Sequence, residues 1–526
     1  MIEAVATEHI RHAERPLLDA GVPLMAHVAF AVAQRVRQQL TDRAGAVAGR
    51  RVVVLVGPGN NGGDGLFAAA HLARAGVRTL AVTTTPKIHT DGLEAARRAG
   101  VVLVSSASSG RAGLGALTPG AAAREALAAD VVVDAMLGIG ARGALRGAGA
   151  AIVRAVNRQR PRRGGPFVVA IDVPSGIGVE DGTAPGPVLR ADLTLACGSP
   201  APGLLLPPAA HLAQDVEVID TGLDLSGATS KVLRLEDTDV PTLWPRALPE
   251  HDKYRRGVVG VVAGTRAYPG AAVLSTGAAV RSGAGMVRYL GSGDVTRAVL
   301  AAHPEVVHGT GRVQSWVVGP GLDAEDTDQL RQVDVALAEA GLGPGAYFSG
   351  AGVWGDGGSD GIVPVVVDAG ALTRLPERCA PWIVLTPHAG ELARLLTERG
   401  VAVDREQVES APAEHAATAQ RLTGATVLLK GATTVVVGPG QVLSQAEAPA
   451  WLATAGAGDV LAGLLGTLLA GRSREAVQSP DLVARLAALA ALVHGRAATL
   501  ANPGGPVSAS MVVEALPRTI ARLLAG

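Results

Sequence analysis

Residues 51–65 read RVVVLVGPGNNGGDG: an apolar β-branched run from Arg51 to Val56, then a turn of glycine, asparagine and aspartate, then Leu66–Ala75, spaced as a helix. A strand that is apolar on both faces and feeds a glycine-rich turn and a helix opens a parallel sheet covered on both sides. The alternation continues outward, with apolar runs at Val77–Thr84, Val131–Leu137, Phe167–Val173 and Ala191–Ala196, and Ala121–Ala129 among the helical stretches between them. Ile2–Gln39 reads as one or two leading helices, and the pattern weakens over Leu225–Lys231. A second series starts near His251. Its strands are Val258–Val262, Trp316–Val318, Val363–Val367, Trp382–Leu385, Thr426–Leu429 and Thr434–Val437; its helices include Ala271–Arg281, Thr327–Ala340, Gly390–Thr397 and Val460–Leu469. No internal repeat links the halves. The sequence therefore predicts two unrelated α/β domains, 1–225 with a Rossmann-like three-layer build and 226–526 with an α/β sheet of its own.

Composition narrows the function. The 526 residues are 48% hydrophobic, and Lys+Arg 47 balances Asp+Glu 47, so bulk charge points to neither a nucleic-acid nor a membrane partner. Five Trp, four Tyr and four Phe make no stacking platform for single strands. Cys197 and Cys379 are too few for a disulfide framework or a cysteine zinc site. The first fifteen residues have no apolar signal core, and the apolar run Val460–Gly471 is too short to span a bilayer. A soluble cytoplasmic protein is expected. Lysine occurs only at 87, 231, 253 and 430, which makes each one worth inspecting.

In the first domain, Gly57, Gly59 and Gly62 match a dinucleotide fingerprint, and so do Gly138, Gly140 and Gly143. A dehydrogenase would also need an acid closing the second strand, where the chain reads Val82-Thr83-Thr84-Thr85. Hydride transfer is disfavoured. The GNNGGDG turn offers backbone N–H groups for phosphate, and Asn60, Asn61 and Asp64 suit ribose hydroxyls or a cation. Asp134, Asp172 and Ser175 end two further strands, whose C-termini share one sheet edge with Asn61. Oxygen ligands from Asn61, Asp134 and Ser175 suit a hard, weakly hydrated cation, although each Asp reads equally well as a helix cap.

GNNGGDG, DAMLGIGARG and DVPSG, in this order, resemble the NAD(P)H-hydrate epimerase family, the YjeF N-terminal domain, over roughly residues 5–225. The resemblance implies that Asn60, Asn61, Gly62, Gly63 and Asp64, with Gly138, Ile139, Gly140, Ala141, Arg142, Gly143 and Ala144, bind the hydrated dinucleotide. It implies that Asn61, Asp134 and Ser175 ligate K+ and that Asp172 contacts substrate. Asp172 is the expected acid–base group, because epimerisation moves protons and these turns offer only a carboxylate there. Two positions depart from the family. Its L-M-E-x-A-G stretch is Leu24-Met25-Ala26-His27-Val28-Ala29 here, and a lysine common after the last strand is Ala201.

In the second domain, Thr454-Ala455-Gly456-Ala457-Gly458-Asp459 opens an apolar helix. Glycine N–H groups there can hold a transferring phosphoryl group, and the Asp can take a proton from an attacking hydroxyl; the same residues also read as a plain N-cap. Lys430 stands at a strand end before Gly431 and Thr433-Thr434, in no Walker A setting, and suits phosphate. His388 and Glu391 open another helix, with a core histidine and a substrate contact equally open for His388. His251–Gly257, polar and just before a strand, suits the rim of a site.

HDKYRRG, YPGA, GPGL, TPHAGE, KGATT and GAGD, in this order, resemble the NAD(P)H-hydrate dehydratase family, a ribokinase-like fold, over about 235–526. The resemblance implies that Ala271, Gly321, His388 and Asp459 bind the hydrate. It implies that Lys430, Gly431, Ala432, Thr433, Thr434 and Gly458 bind the adenine nucleotide, ADP with Mg2+ in two-domain fusions of this type. The expectation is a bifunctional repair enzyme, a homo-oligomer, that epimerises R- and S-NAD(P)H hydrate and dehydrates the S form. Two alternatives stay open: a ribokinase-like small-alcohol kinase, and a dehydratase whose first domain only binds dinucleotide. The fold and G-x-G-D motivate the first; Ala201 and the altered leading helix motivate the second.

Overall fold

The computed structural model describes residues 1–107, 113–161, 164–323, 326–342 and 362–525. They divide into two compact units, Glu3–Val232, and Met1–Ile2 together with Leu233–Gly526.

In the first unit, eight strands form one parallel sheet in the order Gly115–Ala116, Val102–Ser105, Arg78–Thr83, Arg51–Val56, Val131–Ala135, Phe167–Ile171, Leu193–Cys197, Asp215–Ile219. The order reverses direction beside Arg51–Val56, which places a crevice at the C-terminal ends of that strand and Val131–Ala135. Side chains alternate across the sheet, as a two-residue period requires. Val52, Val54, Val56, Val131 and Val133 pack under Leu24–Ala44 and Gly59–Arg74, whereas Val53, Leu55 and Val132 pack under Pro119–Leu127 and Gly147–Gln159. Both faces are covered, so the core strands are apolar throughout. The leading segment comprises the strand Ile2–Val5 and two helices, Thr7–Asp19 and Leu24–Ala44.

The second unit has a parallel run in the order Met286–Tyr289, Val258–Val262, Ser315–Val318, Val365–Val367, Ile383–Leu385, Thr426–Leu429. It continues into the antiparallel strands Thr434–Gly438 and Gln441–Gln445. The helix Ala457–Gly471 is buried along almost its whole length against the sheet. Pro480–Ala501 is long and apolar enough to cross a bilayer, but 78% of its apolar window is buried inside the unit, so it is a core helix.

Candidate active sites

In the first unit the strand Arg51–Val56 turns at Gly57, and the helix begins at Gly59. Asn60–Gly65 therefore forms the first two helical turns, where the sequence suggests a turn leading into a helix at Leu66. Packing is the reason. A Cβ on Gly57 would lie 1.8 Å from the Met136 carbonyl oxygen, and one on Gly62 would lie 2.1 Å from that of Gly57. Gly62 and Gly63 are buried, while Asn60, Asn61 and Asp64 line a cleft of about 600 Å3. Gly138, Ile139, Gly140, Ala141 and Asp172 line it as well; Arg142, Gly143 and Ala144 lie off its wall.

Asp172 is held in an unusual state. Its φ is +68°, left-handed for a residue with a side chain, a conformation that Asp tolerates better than most. Its N–H donates to the Leu195 carbonyl at 2.7 Å, and its Oδ2 accepts the Ile139 N–H at 2.6 Å. Burial pushes its pKa up to about 6, against the hydrogen bond from Ile139 and the guanidinium of Arg11. A Cβ on Gly138 would come 2.6 Å from Asp172 Oδ2, so glycine alone leaves the carboxylate its place.

Beneath the cleft, Asp134 is fully buried. Its Oδ1 accepts Ser175 Oγ at 2.6 Å and the Met136 N–H at 3.2 Å, and its Oδ2 accepts the Ser175 N–H at 2.9 Å. Burial raises its pKa and these bonds oppose the rise. Asn61, also buried, has neither side-chain atom hydrogen-bonded. Ser175 Oγ accepts the Leu137 N–H at 2.8 Å, and the Asn61 Cγ would lie 3.5 Å from a Cβ on Gly138, so the segment Leu137–Gly138 links the two residues.

Three charged residues of the cleft carried no functional reading in the sequence: Arg11, Glu14 and Lys87. Arg11 donates to the Ile139 carbonyl at 3.0 Å, tying the leading helix to the segment after Val131–Ala135. Glu14 has a raised pKa from burial, opposed by Arg11. Ala201 sits in an apolar cluster with Val173 and Leu204; the ammonium at this cleft is that of exposed Lys87. Lysine's rarity was the available signal.

Asp64 has one carboxylate oxygen buried without a partner, and burial, then the charges of Asp172 and Glu14, raises its pKa to about 8. The folded state thus holds this proton more tightly than the unfolded chain does. Stability contributed by the group is full at low pH and falls as pH rises from about 4 to 8, by up to about 1.4 kcal/mol per unit. Asp64→Asn should therefore melt higher than the parent at pH 8, with the gap closing towards pH 4. A gap independent of pH would show that the carboxyl is not strained by burial.

In the second unit, Asp459 lies in the first turn of Ala457–Gly471, after Gly456 at φ +88°. Burial, and then the Asp368 carboxylate, raises its pKa to about 6, with Lys430 opposing. Lys430 Nζ donates to Asp368 Oδ1 at 2.8 Å and lies 3.8 Å from Glu391 Oε2. Burial alone would lower the Lys430 pKa, but the carboxylates of Asp368, Glu391 and Asp459 outweigh it and keep an ammonium. A Cβ on Gly458 would sit 3.3 Å from that Nζ, so Lys430 and Gly458 share one small space. Asp368 was missed in the sequence, although VVVDAG repeats the strand-final Asp of VVVDAM that singled out Asp134.

His388 is neither a core residue nor free. Its Nδ1 accepts the N–H groups of Gly390 and Glu391 at 3.0 and 3.3 Å, while Glu391 returns a bond to the His388 N–H at 2.8 Å. The capping box fixes the ring, with Nε2 3.6 Å from Glu391 Oε1. The next strand pairs here through a bridge between His388 and Lys430, and Lys430–Thr434 forms the turn of the antiparallel hairpin. Ala271 and Gly321 are in contact range of each other, 2.4 Å from Ala271 Cβ to a Cβ on Gly321. His251–Gly257 does not join them. It precedes Val258–Val262, and the residues before a parallel strand stand at the sheet edge opposite the strand-end turns.

Residues 22–203 match the family model described as the YjeF-related protein N-terminus, and residues 259–520 match that of the NAD(P)H-hydrate dehydratase. The chain is 41% identical over 484 residues, 88% of each chain, to the bifunctional NAD(P)H-hydrate repair enzyme Nnr of Mycobacterium tuberculosis (strain CDC 1551 / Oshkosh). It is 40% identical over 542 residues, 98% of each chain, to the protein of the same name from Mycobacterium leprae (strain TN). A solved ADP/ATP-dependent NAD(P)H-hydrate dehydratase from Bacillus subtilis, co-crystallised with ATP/Mg2+, is 26% identical, with 55% of this chain and 97% of that chain covered and a TM-score of 0.44.

Proposed function

The chain belongs to the family of bifunctional NAD(P)H-hydrate repair enzymes, and from that premise we propose how its residues divide the work. The first domain interconverts R- and S-NAD(P)H hydrate, and the second dehydrates the S form to NAD(P)H with ADP, releasing AMP and phosphate. The observation that carries this reading is that each domain sets one carboxyl at a turn with its pKa raised to about 6, Asp172 in one and Asp459 in the other. Such groups exchange protons readily near neutral pH.

For dehydration, Asp459 takes the proton of the ring hydroxyl, whose oxygen attacks the terminal phosphoryl of ADP as the bond to AMP breaks. The obstacle is the leaving group. Water has a pKa of about 15.7, whereas a phosphate monoester's second pKa is near 6. Phosphate then departs with the C–O bond, and loss of a neighbouring proton restores the double bond. Lys430, its charge secured by Asp368, and the N–H of Gly458 face the transferred phosphoryl. His388, Ala271 and Gly321 hold the hydrate, and Gly431–Thr434 hold the nucleotide. Mg2+ would enter on the nucleotide phosphates and neutralise their charge, as it does in phosphoryl transfer generally.

For epimerisation, Asp172 and Asp64 make an acid–base couple, because near pH 7 the first is mostly ionised and the second mostly protonated. One protonates the departing hydroxyl and the other takes a proton from the water that returns on the opposite face. The orphaned amide of Asn61 with buried Asp134 and Ser175 fits K+, which would supply positive charge beside the dinucleotide phosphates. A cytoplasmic location goes with the substrate. The test follows reduced-nicotinamide absorbance from pure S hydrate with ADP and Mg2+, and R-to-S exchange in K+ against tetramethylammonium buffer. Dehydration with ADP and faster exchange in K+ are expected. A stable phosphorylated alcohol as product would instead support the kinase reading, and equal exchange in both buffers would remove K+.

A further inference from the structure

The second domain has another cleft, at the sheet edge opposite Asp459. His251–Gly257 packs there against the C-terminal end of Ala457–Gly471; a Cβ on Gly257, whose φ is +96°, would lie 2.6 Å from the Ala470 carbonyl carbon. From Asp459 to Gly471 the helix rises about 18 Å at 1.5 Å per residue, so the two places are separate. The cleft encloses about 600 Å3, the size of a small-molecule site.

Its charge is one-sided. Arg246, Arg255, Arg256 and Arg281 line it, and no carboxylate does among the described residues. Arg256 donates to the Gly283 carbonyl at 2.9 Å, and the other three guanidiniums form no ion pair among those residues. Asp252, near Arg255, already accepts the N–H groups of Tyr254 and Arg255 at 2.9 and 2.8 Å. The helices Pro269–Arg281 and Ala457–Gly471 both end here, contributing roughly half a negative charge each, well short of four guanidiniums. A second observation points to a ligand. Ser282, only 4% exposed, lines the cleft with its Oγ unpartnered, and the Nδ1 of His251 is likewise buried and unpartnered. The remaining wall is apolar, with Leu248 44% and Leu524 42% exposed beside it.

We propose that this cleft is a second ligand site, for a phosphorylated organic anion carrying an apolar or aromatic moiety. The phosphoryl group sits among Arg246, Arg255, Arg281 and the Ser282 hydroxyl, and the apolar part lies on Leu248 and Leu524. Arginine forks suit phosphate oxygens, and the exposed leucines give the site a reason to prefer an ester over free phosphate.

Calorimetric titration of the full-length protein with phenyl phosphate, and separately with inorganic phosphate, tests this. The parent should bind phenyl phosphate at least about tenfold more tightly than inorganic phosphate. R246Q/R281Q should weaken phenyl phosphate at least about tenfold at a parent-like melting temperature. L524S, which removes no charge, keeps the test decisive if that variant is unstable: it should weaken phenyl phosphate and leave inorganic phosphate unchanged. Absence of binding, equal affinity for the two anions, or affinity indifferent to these substitutions would overturn the proposal. The readout is independent of hydrate turnover, so its failure is distinct from failure of the catalytic reading.

Discussion

Asp459→Asn is expected to lower dehydration of S hydrate by about a thousandfold while R-to-S exchange proceeds at the parental rate, the size of effect a lost general base produces. Asn keeps the shape and the helix N-terminal position but cannot take the hydroxyl proton. The pH profile carries the same claim. Because the base must be ionised and its pKa is raised to about 6, the rate should fall tenfold per unit below about pH 6 and level off above it. Asp368→Asn removes one of the causes of that rise and should move the limb to lower pH. A limb that stays in place would mean that it reports another group.

Asp172→Asn is expected to do the converse: exchange falls by about a hundredfold or more, and S hydrate is still dehydrated at the parental rate. Asparagine accepts a positive φ nearly as well as aspartate, so the turn at φ +68° should survive and the loss should be chemical. Gly138→Ala should act in the same direction, since its Cβ would press on Asp172 Oδ2. Retained exchange in Asp172→Asn would shift the acid–base role to Asp64 and Glu14, the other carboxyls of the cleft.

The core strands were legible because both faces are buried and their residues are apolar without interruption. Arg51–Val56, Val258–Val262 and Thr426–Leu429 stand where the sequence puts them. Strands towards the sheet margins were not. Val102–Ser105 begins with Val102 at 60% exposure and lacks the two-faced signature, and Gln441–Gln445 is half polar. The antiparallel turn at Lys430–Thr434 was invisible, because strand direction leaves no mark on an apolar run. The start of the helix Gly59–Arg74 was hidden by its glycines, which read as a turn until their distances to Met136 and Gly57 show why side chains are missing there.

The sites divide the same way. Strand-end acids such as Asp134 and Asp172 announce themselves by breaking an apolar run. Glu14 and Arg11 look like ordinary charges on an amphipathic helix, and only tertiary packing brings them to the cleft. His388 shows the limit of reading residue type alone: its ring is a helix cap as well as a candidate substrate contact.

On this reading, one chain holds two working sites joined by a shared metabolite. The most direct measurement follows reduced-nicotinamide absorbance after the full-length protein is added to mixed R and S NADH hydrate with ADP, Mg2+ and K+. Recovery beyond the S fraction, faster than spontaneous epimerisation, is the result predicted. Recovery that stops at the S fraction would contradict it and leave the first domain a binder of dinucleotide.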